Sequence, residues 1–209
     1  MTTLRLRSYT CLLGLTLFLA AAGAAQAAAV VGQPAPDFSA VDVNGKTVKL
    51  SDYNGKQVVL EWVNPGCPFV QKHYDSGNMQ GTQRDAASKQ VVWLAINSTD
   101  KGHSDYRSPA EMAKWMQGHK AAATDTLMDA DGTVGKAYGA RTTPHMYIVD
   151  PAGKLVYAGG IDSKATANPA DIASATNYVK VALAETTAGK PISTATSRPY
   201  GCSVKYGSS

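Results

Sequence analysis

The chemistry within reach of this chain is carried by sulfur. Cys67 stands in Asn64-Pro65-Gly66-Cys67-Pro68-Phe69-Val70, directly after the run Gln57-Val58-Val59-Leu60-Glu61-Trp62-Val63. That run is Val-rich and is stopped by Asn-Pro-Gly, so it reads as a buried β-strand. Pro68 suits the first turn of a helix, where its missing N–H removes no hydrogen bond. Cys67 is therefore expected where a strand ends and a helix begins. Free helix N–H groups and the positive end of the helix dipole favour a thiolate there, the nucleophilic form of cysteine. A buried cysteine packing as a small apolar side chain is the competing reading.

The second candidate is Cys202, in Arg198-Pro199-Tyr200-Gly201-Cys202-Ser203. It lies in a Ser-, Thr-, Gly- and Tyr-rich tail, 190–209, that has no core period. Beside Gly201 its backbone is expected to swing toward Cys67, giving one anchored and one mobile thiol. A nucleophile with a resolving partner needs that asymmetry, and a permanent staple tying down a tail looks the same in sequence. Cross-linking 135 positions would stabilise by roughly 4–5 kcal/mol on a chain-entropy argument. The four histidines are not at metal-ligand spacing, and Asp129-Ala130-Asp131-Gly132 has too few spaced oxygens for calcium. No metal and no cofactor is expected.

The first 27 residues read as an address. Arg5 and Arg7 precede an apolar run from Cys11 to about Ala25, and Ala25-Gln26-Ala27 fits a small-x-small cleavage site. The run is short of the ~20 residues of a spanning helix, so a removed secretory signal is expected, with a periplasmic or secreted product and no membrane segment after cleavage. Removal leaves 182 of the 209 residues, enough for one domain, and formal charge falls from +4 to +2. No basic block remains to argue for nucleic acid. Cys67 and Cys202 are then the two cysteines left, and in an oxidising compartment they are expected to pair.

The elements that position these thiols follow from pattern. Asn44-Gly45 between alternating segments signals a hairpin. After the Cys67 helix, Asp75-Ser76-Gly77-Asn78 is a break before a second helical piece to about Lys89. Gln90–Asn97 reads as another buried strand. Ser108-Pro109-Ala110-Glu111 is a capping box opening a helix with Met112, Trp115, Met116 and His119 on one stripe, which is assigned to packing. Leu127-Met128 is a short strand, followed by a short helix to Tyr138. His145–Val149, the turn Asp150-Pro151-Ala152-Gly153 and Leu155–Ala158 form a second hairpin. Asn168-Pro169-Ala170-Asp171 is expected to cap a last helix with Ile172, Ala175, Val179, Ala182 and Leu183 inward, ending near Gly189. Strands alternating with helices imply an α/β sandwich around a central mixed sheet, with domain limits 28–189 and a tail 190–209.

From about Val31 to Thr187 the chain resembles thioredoxin-fold redoxins of the alkyl hydroperoxide reductase/thiol-specific antioxidant (peroxiredoxin-like) type. The matching pieces are Gly32…Ala35-Pro36-Asp37-Phe38, Leu50-Ser51-Asp52…Gly55-Lys56, Cys67-Pro68 after a strand, Thr143-Pro144 before a strand, and Asp150-Pro151-Ala152-Gly153. The resemblance implies a thioredoxin-like sandwich with an N-terminal hairpin extension, Cys67 at the C-terminal sheet edge, and a cis Pro144 beside the sulfur. Departures accompany it. Peroxiredoxins place Pro and Thr or Ser seven and three residues before their reactive cysteine, where this chain has Leu60 and Asn64. Their active-site Arg falls on Pro144, and the second cysteine of thioredoxins falls on Val70. Glu61 stands where thioredoxins carry a buried proton-relaying acid, although strand alternation can equally point it outward. Arg141 can supply a cation over the thiolate or be an ordinary surface residue. His145 follows Pro144 and has either face open to it, and His73 sits ~9 Å of helix rise beyond Cys67.

Taken with the leader and the two remaining thiols, the resemblance points to an exported thiol oxidoreductase of antioxidant type, with Cys67 as nucleophile and Cys202 as resolving thiol, and Thr143, Pro144, Asn64, Glu61 and Arg141 as candidate supporting residues. Its substrate is a peroxide or a disulfide and its reductant a thioredoxin-like protein. The frame up to Cys67 favours peroxide or general thiol oxidoreduction. Alternatives are exchange with protein disulfides, or a non-catalytic binding module whose Cys67–Cys202 bridge, unlike a catalytic one, resists glutathione.

Overall fold

In the computed structural model residues 28–208 are described, so the secretory-signal reading of 1–27 lies outside the described residues. The organising element is β3 (Val58–Trp62), buried along its whole length. Its alternation serves two cores. Val59 packs on one face with Cys67, Val70, Trp93 and Met146. Val58, Leu60 and Trp62 pack on the other with Leu94, Ile96 and Tyr147. A strand buried on both faces needs apolar residues at successive positions, which is the run the sequence shows.

Around β3 the sheet is mixed. β4 (Val92–Asn97) and then β5 (Asp125–Met128) add in parallel on one side, while β7 (His145–Val149) and β8 (Leu155–Gly159) add antiparallel on the other. The N-terminal hairpin, β1 (Ser39–Asp42) and β2 (Thr47–Lys49), extends the sheet by pairing β1 antiparallel to β5, giving the order β2-β1-β5-β4-β3-β7-β8. One face is covered by α1 (Pro68–Asp75), α2 (Asn78–Ala87), α3 (Pro109–Gly118) and α5 (Tyr178–Thr187), and the other by α4 (Thr133–Tyr138). The chain is thus an α/β sandwich with a central mixed sheet.

Local signals act where the residues place them. Gly77 adopts φ +75° between α1 and α2, ending one helix and starting the next. At α3 the Ser108 hydroxyl accepts from the Glu111 N–H at 3.3 Å while the Glu111 carboxylate accepts from the Ser108 N–H at 2.8 Å, a reciprocal capping box. Asp129 of the acidic turn accepts from the N–H groups of Val134 (3.0 Å) and Gly135 (2.8 Å), so the turn serves as a cap for α4.

Two expectations are corrected. The last helix is not continuous from Asn168. A short 3-10 turn (Pro169–Ser174) is followed by extended Ala175, and α5 begins only after Asn177, whose side chain accepts from the Lys180 N–H at 2.9 Å. The Tyr178 N–H donates to the Ile161 carbonyl and the Ser163 N–H to the Thr176 carbonyl, so the 161–163 segment draws the chain out of helix there. Ile172 and Ala175 are consequently not core residues, whereas Val179, Ala182 and Leu183 are buried.

The tail is also not a free segment. Ala158 donates to Ala195 and accepts from Ser197, extending the sheet edge. Cys202–Ser203 forms β9, antiparallel to β6 (Thr142–Thr143) with Thr143 opposite Cys202. The Lys205 carbonyl accepts from the Asp100 N–H at 2.8 Å, and the Tyr206 hydroxyl donates to the Ala140 carbonyl at 2.8 Å. The docked tail residues meet different partners, so no periodic apolar face is needed and none is visible in the sequence.

Candidate active site

Cys67 is the N-cap residue of α1, in extended conformation (φ −86°, ψ 120°) with Pro68 as the first helical residue. Its position is set by the loop before it. The Asn64 side-chain oxygen accepts from the Gly66 N–H at 2.8 Å, its amide donates to Thr99 Oγ1 at 3.2 Å, and its carbonyl accepts from the Cys67 N–H at 3.1 Å. Gln71 closes the arrangement from the helix side by donating to the Pro65 carbonyl at 2.9 Å. The sulfur is buried, at 2 % exposure, and its S–H donates to the Thr143 carbonyl at 3.0 Å. The Thr143–Pro144 peptide is cis, and Thr143 Oγ1 is buried without a hydrogen-bond partner.

Pairing of β9 with β6 sets Cys202 opposite Thr143, the residue whose carbonyl already holds Cys67. The two thiols are therefore neighbours, and both are free in the structure. Burial, reinforced by a hydrogen bond and charge interaction with Cys67, pushes the Cys202 thiol up to about 12. Gly201 makes this approach possible. It lies at φ +134°, and a β-carbon there would collide with the Thr143 carbonyl. Glycine is also required where other tail residues cross, since Ser197 lies over Gly159 and Tyr206 over Gly132 and Gly135.

The supporting residues divide. Glu61 does not point outward: it is fully buried, and its carboxylate accepts from Trp93 Nε1 (2.7 Å), the Tyr74 hydroxyl (2.9 Å) and Gln83 Nε2 (3.2 Å). Burial raises its pKa to about 7 against the lowering effect of those three donors. Tyr74 is seven residues beyond Cys67, ~10 Å of helix rise, so these contacts lead away from the sulfur. Arg141 is exposed. His145 is buried and packs on Tyr147 with ring centroids 4.5 Å apart, on the face opposite Cys67. Burial, then the Arg141 charge, lowers its pKa to about 3.

Sequence reasoning missed a buried polar cluster alongside α1, made by Lys72, His73, Asp162 and Tyr200. A lysine on a short helix reads as a surface residue, so Lys72 gives no sign of its burial in the sequence. A Tyr two residues before a chemically interesting cysteine was the available signal.

A helix-start cysteine, a cis Thr-Pro holding its sulfur and a central mixed sheet are the features that relatives can be compared on. The AhpC/TSA family model matches residues 31–158, more than half of the chain. The chain belongs to the AhpC/TSA family. Among curated relatives of this redoxin is the thiol-disulfide oxidoreductase ResA of Bacillus subtilis, 27 % identical over 153 residues, covering 70 % of this chain and 75 % of the relative. The peroxiredoxin Bcp of the same organism is 27 % identical over 135 residues, covering 60 % and 82 %. Among solved structures, an uncharacterized conserved protein from Geobacillus kaustophilus superposes with TM-score 0.73 at 29 % identity, covering 86 % of this chain and 94 % of the other. A hypothetical protein from Sinorhizobium meliloti shares the fold, at TM-score 0.73 and 23 % identity, over 88 % and 98 %. This AhpC/TSA chain is accordingly a thiol-based redoxin, similar to both a disulfide-exchange and a peroxide-type relative.

Proposed function

We propose that this redoxin is an exported dithiol oxidoreductase in which Cys67 attacks a substrate disulfide and Cys202 resolves the product. The observation that carries the reading is the placement of Cys202 opposite Thr143, whose carbonyl holds the Cys67 thiol. Cys67 thiolate attacks one sulfur of R–S–S–R′, forming Cys67–S–S–R and releasing R′S⁻. Cys202 thiolate then attacks the Cys67 sulfur, forming Cys67–S–S–Cys202 and releasing RS⁻. Two electrons pass from the protein dithiol to the substrate, and the two thiol protons end on the released thiolates or in solvent. An external thioredoxin-like dithiol returns both electrons.

The electrostatics support this order. In the reduced protein Cys202 is held as a thiol, partly by its hydrogen bond and charge interaction with Cys67. Once Cys67 is in a mixed disulfide it carries neither proton nor charge, and that part of the upward pull on Cys202 vanishes. The resolving thiol becomes easier to ionise at the step where it must attack.

Disulfide is favoured over peroxide as oxidant by what surrounds the sulfur. Its hydrogen-bond partner is the Thr143 carbonyl, an acceptor, and Arg141 is exposed. A peroxide leaving oxygen gains from donors or a cation, whereas a departing thiolate, of much lower basicity, needs less help. Similarity to a peroxiredoxin keeps peroxide as the second substrate to assay. There Cys67 becomes a sulfenic acid, releasing the other peroxide oxygen as water or alcohol, and Cys202 expels the sulfenic oxygen as water.

The test supplies mature protein and a thioredoxin-type donor with a protein disulfide or with hydrogen peroxide, following donor oxidation. Turnover with the disulfide at least tenfold faster than with peroxide is expected. Faster peroxide turnover reverses the substrate assignment. No turnover with either, together with a Cys67–Cys202 bridge that resists glutathione, makes the chain a stapled binding module.

A further inference from the structure

Tyr200 precedes Cys202 by two residues and is buried at 8 % exposure. Its hydroxyl donates to Asp162 Oδ1 at 2.5 Å and lies 3.2 Å from His73 Nε2. Its ring packs edge-on against Phe69 at 5.9 Å between centroids, with Lys72 Nζ 5.6 Å from the ring centre. Lys72 Nζ donates to the Lys164 carbonyl at 3.0 Å and stands 3.7 Å from Asp162 Oδ2, while His73 Nε2 stands 3.8 Å from that same oxygen. The Lys72 and Asp162 side chains are 0 % and 2 % exposed.

Phe69, Lys72 and His73 all belong to α1, the helix whose N-cap is Cys67. One rigid helix therefore carries the nucleophile at its start and, within its first two turns, the socket for Tyr200. Two residues of extended chain reach at most ~7 Å. With the tyrosine ring packed on Phe69 and its hydroxyl seated, the Cys202 backbone therefore stays within that reach of a residue docked on the helix that starts at Cys67. Apolar packing could hold the tail with no desolvated charge, since a buried ion pair rarely adds net stability over apolar residues of like size. What the polar socket adds is a single depth and direction for one hydroxyl. Asp162 Oδ2 has Lys72 and His73 beside it but makes no hydrogen bond, so the cluster is not arranged for full hydrogen bonding of its own charge.

We propose that Tyr200 is the positioning residue for Cys202: its hydroxyl, seated on Asp162 between Lys72 and His73, sets the approach of Cys202 to Cys67 and so the rate of resolution. The inference rests on the reading of Cys67 and Cys202 as the redox pair. A docked tail becomes, on this view, a device for raising the effective concentration of one thiol at the other.

Rapid-quench kinetics with an aromatic disulfide reagent separates the two steps, since the first attack releases one coloured thiolate and resolution a second. Tyr200→Phe keeps the ring contacts and removes the hydroxyl; Tyr200→Ala removes both. Resolution is expected to slow about tenfold in Tyr200→Phe and a hundredfold or more in Tyr200→Ala, with the first attack by Cys67 changed less than threefold. Resolution at the wild-type rate in both variants overturns the proposal. Equal slowing of both steps also overturns it, making Tyr200 a general prop, and slowing in Tyr200→Ala alone overturns it too, leaving the ring and not the hydroxyl as what places Cys202. Failure of the wild-type protein to release the second thiolate sinks the functional reading itself, a different result from any of these.

Discussion

Cys67 is held largely by residues within four positions of it, Asn64, Pro65, Pro68 and Gln71, whereas Cys202 is held by groups brought from across the chain: Thr143, Ala158, Asp162 and Asp100. The two thiols meet at Thr143, one on its carbonyl and one opposite it in the β6–β9 ladder, yet they arrive by different physics. A strand-turn-helix junction forms from local geometry and places its sulfur wherever the strand and helix pack. A docked tail forms only after the surfaces it crosses exist, and its placement depends on glycines that let it pass close. Reactivity and resolution should therefore be alterable separately in this molecule.

Removing each sulfur in turn should have the largest effect. Cys67→Ser is expected to abolish turnover, because the nucleophile is lost. Cys202→Ser is expected to leave the first attack within a few-fold of wild type and stop turnover at one event. Intact-mass measurement then finds a persistent mixed disulfide on Cys67, or with peroxide a sulfenic acid trapped by a dimedone-type reagent. Normal multiple turnover by Cys202→Ser would end the resolving role.

Next in size is Gly201→Ala. Both the backbone angle and the collision with the Thr143 carbonyl oppose a β-carbon there, so β9 is expected to leave β6. Stability should fall by about 1–3 kcal/mol, in the range of overpacked sites, and the tail should become a preferred site for limited proteolysis. The first attack should persist while resolution collapses. A variant that resolves normally would show that the tail reaches Cys67 without its present docking.

The contrast between the thiols also explains what could be read from residues alone. β3, the break at Gly77, the capping box of α3 and both hairpins announce themselves through patterns of a few adjacent residues, and Cys67 was legible for the same reason. Asn177 capping α5 was hidden behind a stronger local signal at Asn168-Pro169, and only the pull of the 161–163 segment decides between them. The tail looked featureless because its residues answer to partners far away in sequence. Gly201 read as freedom for Cys202 to move, whereas in the fold it permits close packing. Lys72 and Asp162, buried and paired, could not be told from surface charges before the helix and the tail were set together.

Glu61, on the Cys67 side of the sheet, makes stability depend on pH. Its folded pKa of about 7 lies above the ordinary 4.5, so the folded state binds more protons than the unfolded one between those values. Stability from this group is complete below about pH 4.5 and is lost as pH rises through about 7. Buried neutral His73 and His145, with pKa values lowered to about 4 and 3, act in the opposite sense. The clean measurement is therefore a difference. Urea unfolding of Glu61→Gln against wild type should shift in favour of the variant by roughly 2–3 kcal/mol between pH 5 and pH 8. Because the carboxylate's contacts lead to Tyr74, the rate of Cys67 attack should change less than threefold. A large loss of rate would restore the proton-relay role.

The smallest effect is expected at Asn64, and it probes whether the Cys67 end is as local as the contacts make it. Asn64→Ala removes the acceptor for the Gly66 N–H and the donor to Thr99 Oγ1. Gly66 is exposed, so water can take over its N–H, while the buried Thr99 hydroxyl loses its donor, and the net loss should be about 1–2 kcal/mol. The turn before Cys67 would then hold its sulfur less firmly, slowing the first attack several-fold. Nothing in that loss touches the contacts of Tyr200 or the pairing of Cys202 with Thr143, so resolution of a preformed mixed disulfide should keep its rate. Equal slowing of both steps in Asn64→Ala would show that the loop and the tail are coupled, and that the two thiols are not positioned independently.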